Sequence, residues 1–128
     1  MEPEEKMKLL EKELTEKVIG ACFEVANELG PGFLESVYRK ALIMVLMQLG
    51  LKAGEEVPLK VSFRGQIVGD FFADILVDDR LVIERKAVKA LTAEHEAQLM
   101  NYLKATGIKV GLLVNFGKSK VEWKRLVC

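Results

Sequence analysis

The chain has 128 residues, half of them hydrophobic, with 19 basic side chains balanced by 19 acidic ones and only 2 Cys. A chain of this length makes one domain and buries about two-thirds of the surface its unfolded form exposes, so no disulfide or metal staple is needed for a core. Zero net charge argues against coating nucleic acid by bulk attraction, and the wide separation of Cys22 from Cys128 excludes a CxxC zinc knuckle.

In chain order, Leu10, Leu14, Val18, Ala21, Cys22, Val25 and Leu29 recur at helical spacing, which predicts a helix over 9–29. Gly30-Pro31-Gly32 stops it, since Pro cannot continue a helix and Gly supplies the turn. A second helix over 34–49 is apolar nearly all round and is expected to be largely buried. Val57, Leu59, Val61 and Phe63 then alternate with polar residues as a half-buried strand does. Arg64-Gly65-Gln66 turns into a second strand over 67–77, and Asp78-Asp79-Arg80 turns again into a β-branched third strand over 81–87. A helix over 91–105 follows, with Thr92 as its N-cap and Gly107 at its end. Residues 110–115 form a short apolar strand of the kind covered on both faces, and a last strand lies near 121–127. The order α-α-β-β-β-α-β-β describes an α/β domain with a mixed central sheet. No repeat or linker divides it, so residues 1–128 read as one unit, with 1–8 a frayed or solvated extension. No signal-type segment opens the chain and no apolar run approaches the ~20 residues of a membrane span, so the expectation is a cytoplasmic protein off the membrane.

The charges are unevenly spread: residues 1–35 carry nine acids and four bases, residues 84–128 four acids and nine bases. Only the C-terminal third is suited to meet a polyanion.

If Asp78-Asp79-Arg80 is a three-residue loop, opposed residues in the hairpin have numbers summing to 158. Asp74 then faces Glu84, and alternation puts Asp74, Glu84 and Lys86 on one face. Two carboxylates so close repel unless one is protonated or a cation lies between them, and oxygen donors of this kind favour Mg²⁺ or Mn²⁺. The alternative is a surface salt-bridge cluster, against which stands the apolar flank of Phe71, Phe72, Ile75, Leu76, Val82 and Ile83. Glu35 heads a stripe shared with Tyr38, Leu42, Leu46 and Leu49, where it either caps the helix or serves a site. His95, Gln98 and Tyr102 share one side of the third helix; with no second His in the chain, a metal-His site is not expected. No phosphate-cradling Gly-rich loop and no nucleophile elbow is present.

Gly32-Phe33-Leu34-Glu35-Ser36-Val37-Tyr38 after Glu28-Leu29-Gly30-Pro31, Asp74 with Glu84-Arg85-Lys86, His95-x-x-Gln98-x-x-x-Tyr102-Leu103 and Gly111-Leu112-Leu113-Val114-Asn115-Phe116-Gly117 follow one another in order. Together they resemble the GxxExxY proteins of the PD-(D/E)XK nuclease superfamily over about residues 15–127. The resemblance implies a restriction-endonuclease-like core and an Mg²⁺-dependent nuclease, with Mn²⁺ as substitute, acting on DNA or RNA. It implies Asp74, Glu84 and the backbone carbonyl of Arg85 as metal ligands. Lys86, Glu35 and Gln98 would be the catalytic groups, and Tyr38, His95 and Tyr102 the substrate contacts. A homodimer is compatible with it. Where such proteins carry Leu or Ile between the acid and the Lys, this chain has Arg85, expected on the opposite face, either at an open strand end or paired with an acid from a helix. The rival expectation is a catalytically silent binding module on the same fold.

Overall fold

The computed structural model describes residues 2–117 and 119–128. Its elements run α1 (Pro3–Leu9), α2 (Lys12–Leu29), α3 (Glu35–Gln48), β1 (Ala53–Phe63), β2 (Gln66–Val77), β3 (Leu81–Lys86), α4 (Ala93–Thr106), β4 (Val110–Asn115) and β5 (Glu122–Val127). The expected first helix is broken: Glu11 adopts a left-handed φ of 52° and its carbonyl accepts the Thr15 N–H at 2.8 Å. Pro3–Leu9 thus forms a separate short helix, so of the two expectations for this extension, frayed or solvated, the exposure of Glu2 to Lys6 agrees with the second.

The five strands lie in sequence order, all neighbours antiparallel except β3 and β4. That parallel pair requires a crossover, and α4 provides it. α2 and α3 pack together on one face of the sheet around Val18, Cys22, Leu42, Leu46, Ile75, Ile83, Leu112 and Val114. α4 covers the other face through Leu99 and Leu103 against Ala73, Leu76, Val82 and Leu113. Covered on both faces, β4 is buried at every position, as its apolar sequence requires.

The β2–β3 register is the one the hairpin arithmetic requires, with Ile75 opposite Ile83 and Val77 opposite Leu81. Asp78 and Asp79, short polar residues that tolerate left-handed backbone, make the turn at φ 50° and 58°.

One feature of the sheet breaks simple alternation. In β2, Ala73 packs on the α4 face but Ile75 packs on the α2/α3 face. In β1, Ala53 lies on the α2/α3 side and Val57 on the α4 side. Glu56 and Asp74 fall between the paired residues Glu55–Ile75 and Val57–Ala73, and Glu56 has φ 49°. Both strands therefore reverse their facing at one point. That point is Asp74.

Candidate active site

The reversal decides which side chains meet. Glu84 and Lys86 point toward α4, as Val82 does, whereas Asp74 turns to the α3 side with Arg85. The expectation that Asp74, Glu84 and Lys86 share one face is corrected accordingly. The Asp74 main-chain N–H donates to Glu84 Oε1 at 3.4 Å, and all three residues still border the open cleft at the strand end.

On the α3 side, Asp74 is enclosed by guanidinium groups. Its Oδ2 accepts the Arg85 main-chain N–H at 3.1 Å, and its Oδ1 accepts Arg85 Nη2 at 3.2 Å and Arg39 Nη1 at 3.4 Å. Arg85 Nη1 also donates to Glu35 Oε2 at 2.7 Å. The pairing of Arg85 with an acid from a helix is thus realised, and Asp74 joins it because of the reversal. Glu35, the first residue of α3, has its second oxygen on the Ala87 N–H at 3.1 Å, so it ties the end of β3 to the helix. Arg39 continues outward to Glu55 and Glu56 at 3.1 and 3.0 Å.

On the α4 side, Glu84, Lys86, His95, Gln98, Tyr102 and Phe71 line a cavity of about 150 Å³. An open cleft of about 500 Å³ joins Glu84 and Lys86 to Glu35, Arg39, Phe72 and Asp74 around the strand end. Burial first, then the charge of Asp74, pushes the Glu84 carboxyl from its ordinary 4.5 up to about 7, against the opposing effects of the Asp74 N–H, Lys86 and Arg85. Among the described residues the Lys86 ammonium makes no ion pair. A further depression, lined by Glu11, Lys12 and Arg80, lies at the opposite end of β3 and contains none of these groups.

The three expected substrate contacts fare differently. Tyr38 is corrected: it is 1% exposed, stacked on Phe116 at 4.8 Å, with its hydroxyl donating to the Gly30 carbonyl at 2.6 Å and accepting the Phe33 N–H. It fixes the turn that delivers Glu35, and Leu42 and Leu46 on its stripe explain why it is buried. His95 lines the cavity, but its Nδ1 accepts the Thr92 N–H while Thr92 Oγ1 accepts the His95 N–H, a reciprocal cap on α4. That bond places the neutral ring's proton on Nε2. Tyr102 is half-buried and stacked on Phe71 at 3.8 Å, and Gln98 is exposed at the cavity rim.

Asn115 and Arg39 are participants that sequence reasoning did not single out. Asn115 is fully buried at the end of β4, with Oδ1 accepting the Val88 and Gly117 N–H groups at 3.0 and 2.9 Å. Its Nδ2 donates to the Val88 carbonyl at 2.9 Å and to Glu122 at 3.3 Å. The signal was available: one amide closing an otherwise apolar, doubly covered strand must spend all its hydrogen bonds inside the protein. Arg39 carries no comparable mark in the sequence.

The resemblance drawn from the sequence implies a divalent metal, and the donors fit one in kind. Asp74, Glu84, Glu35 and the Arg85 carbonyl are hard oxygens, suited to Mg²⁺ or Mn²⁺, and the chain's single His is occupied in the helix cap. Among the described residues, no three such side chains converge as a ready metal cluster. The positive charge between Asp74 and Glu35 is the Arg85 guanidinium.

Comparison with known proteins agrees with the architecture. A family model described as the PD-(D/E)XK nuclease superfamily matches residues 12–126. The crystal structure of a protein called SSO0001 superposes with a TM-score of 0.57 at 20% identity, covering 95% of this chain. The present chain spans 62% of that protein's length. No curated protein matches. Among the described residues, no helix is long and apolar enough to cross a membrane.

Proposed function

The chain belongs to the PD-(D/E)XK nuclease superfamily, whose members generally use divalent metals, and on that premise we propose that it hydrolyses phosphodiester bonds of DNA or RNA with Mg²⁺, or Mn²⁺ in its place. The observation that carries the reading is the meeting, at the end of β3, of Glu84 and Lys86 with Gln98 on one side and Asp74 with Glu35 on the other. Asp74, Glu84 and the Arg85 carbonyl are the ligands in this reading. An ion held there would supply Lewis-acid chemistry, lowering the pKa of a water and offsetting charge on the phosphoryl oxygens.

The chain's own groups do the rest. Lys86, which makes no ion pair among the described residues, orients the attacking water and stabilises the negative charge that develops on its oxygen as the proton passes to solvent. Gln98 at the rim aligns that water through its amide. Glu35 holds the β3 end through the Ala87 N–H, which keeps the Lys86 backbone in place. His95 Nε2–H and the edge of Tyr102 face the cavity where a sugar or phosphate of the strand enters. The basic residues of 84–128 give the local attraction that the neutral total lacks.

The test is a cleavage panel of single- and double-stranded DNA and RNA with Mg²⁺ or Mn²⁺. Metal-dependent scission is expected, lost in Lys86→Ala and Asp74→Ala. If no nucleic acid in the panel is cut, the nuclease reading fails. The engagement of Asp74 by two arginines favours one rival, a silent binding module, which would bind the same strands unchanged in Lys86→Ala and cleave none.

A further inference from the structure

The Arg85 side chain has no part in the hydrolysis described above, yet it bridges two of the acids in the cleft. It is 9% exposed, reaches Glu35 at 2.7 Å, and meets Asp74 through Nη2 at 3.2 Å and Nε at 3.1 Å. Asp74 Oδ2 accepts the Arg85 main-chain N–H, and Oδ1 accepts Arg85 Nη2 and Arg39 Nη1. Arg85 Nε lies 3.1 Å from Oδ2 as an ion pair without a hydrogen bond. A cation approaching Asp74 therefore meets the positive charge of a guanidinium at both oxygens. We propose that the Arg85 guanidinium is the resident counter-ion of Asp74 and Glu35, and that a divalent cation gains Asp74 only by displacing it. This inference rests on the metal-dependent reading and adds that the site is held closed by its own side chain.

The chemistry fits that role. A guanidinium stays charged across the working pH range, so deprotonation does not open the site. Its planar fork spans two carboxylates from different elements, which a lysine ammonium grips less well. Strand geometry leaves it little choice. Arg85 shares the α3 face with Ile83, and the reversal at Asp74 brings that acid to the same side.

The experiment is calorimetric titration of the full chain with MnCl₂, comparing wild type, Arg85→Leu and Arg85→Lys. Removing the competing cation is expected to tighten Mn²⁺ binding by about tenfold in Arg85→Leu, equivalent to about 1.4 kcal/mol, with Arg85→Lys between. Equal or weaker binding by a folded Arg85→Leu overturns the proposal while leaving the metal-dependent reading intact. Absence of Mn²⁺ uptake in all three overturns both. Because Arg85→Leu leaves two acids without their counter-ion and can lose its fold, a wild-type measurement stands beside it. On titration with Mg²⁺, the ¹⁵N resonance of the Arg85 Nε–H group is expected to move toward that of a solvent-exposed arginine as the Asp74 and Glu84 amides shift. If those amides saturate while the Arg85 signal stays fixed, the guanidinium is not displaced and the proposal fails.

Discussion

Asn115→Leu removes a side chain of similar size whose four hydrogen bonds are all internal. The change strands the Val88 N–H, the Val88 carbonyl and the Gly117 N–H, each of which had Asn115 as partner. A buried backbone group left without a partner costs about 1–3 kcal/mol. Val88 is only half-buried and Gly117 is exposed, so the low end applies to all of them, and the three together come to about 3 kcal/mol. The leucine returns roughly 1 kcal/mol through its apolar surface, leaving a net loss of about 2 kcal/mol. Urea unfolding followed by circular dichroism measures this directly: at a slope of about 1.5 kcal/mol per molar, the midpoint falls by about 1.3 M. Asn115→Asp is the control, because it keeps the acceptor for both N–H groups but sets a carboxylate beside Glu122 and the Val88 carbonyl. It should destabilise at neutral pH and recover in part as the pH falls. A midpoint shift below about 0.5 M for Asn115→Leu would show that water replaces the amide, and the claim that Asn115 anchors the segment after Lys86 would be wrong.

The remaining predictions concern the same end of the sheet and the core beneath it. Glu84 has a folded pKa raised from 4.5 to about 7, so the native state holds the proton more tightly than the unfolded chain does. The contribution of this group to stability is therefore full below about pH 4.5, is lost as the pH rises to about 7 and is level above, a total of about 3 kcal/mol. Denaturant midpoints at pH 5 and pH 8 should differ by less in Glu84→Gln than in wild type, and an unchanged difference would contradict the assignment. Gly117→Ala places a methyl 2.4 Å from the Val88 carbonyl oxygen and 2.5 Å from its nitrogen, both rigid backbone. It should cost at least about 2 kcal/mol in the same unfolding assay. Burial pushes the Cys22 thiol up to about 12, whereas Cys128 is half-buried. Iodoacetamide followed by peptide mass mapping should label Cys128 in the native protein and Cys22 only after unfolding.

Much of this architecture is legible in the residues, and the reasons differ by element. The hairpin register follows from one loop length, because two aspartates make a three-residue turn that fixes every pair after it. Thr92 and Gly107 bound α4 as expected, since a side-chain oxygen and a left-handed glycine at φ 80° are what helix ends require. Alternation also carries Arg85 to the face away from Glu84 and Lys86. It fails at Asp74, where two strands reverse together around Glu56, a residue whose left-handed backbone nothing in its neighbourhood announces. The break at Glu11 has the same cause: a non-glycine residue with positive φ, supported by contacts distant in sequence, here the ion pair with Arg80 at 3.2 Å. Tyr38 was placed on the correct stripe but assigned to the wrong side of the protein surface. Its ring fills the core beside Phe116, and only the hydroxyl has polar work.

These outcomes bear on how the cleft holds Lys86. Among the described residues the lysine makes no ion pair and feels only a longer-range attraction to Glu84, so its position is set largely by the main chain beneath it. Three contacts supply that. The Lys86 carbonyl accepts the Phe116 N–H at 2.8 Å, the Ala87 N–H donates to Glu35 at 3.1 Å, and Val88 is held through both backbone groups by Asn115. The anchors come from α3 on one face of the sheet and, within the sheet, from the end of the neighbouring β4, so the segment leaving β3 is held from two directions. A side chain fixed only at its root is free to find its partner when the partner arrives, whereas Asp74 and Glu35 are already committed to Arg85. The cleft is therefore preorganised at its backbone and self-compensated in its charges. Neutralising acids with arginines from the same sheet and helix offsets the repulsion within the carboxylate cluster. On the proposal above, a cation's access to Asp74 depends on one guanidinium, so a substitution at Arg85 is the change expected to separate the stability of the site from its affinity for metal.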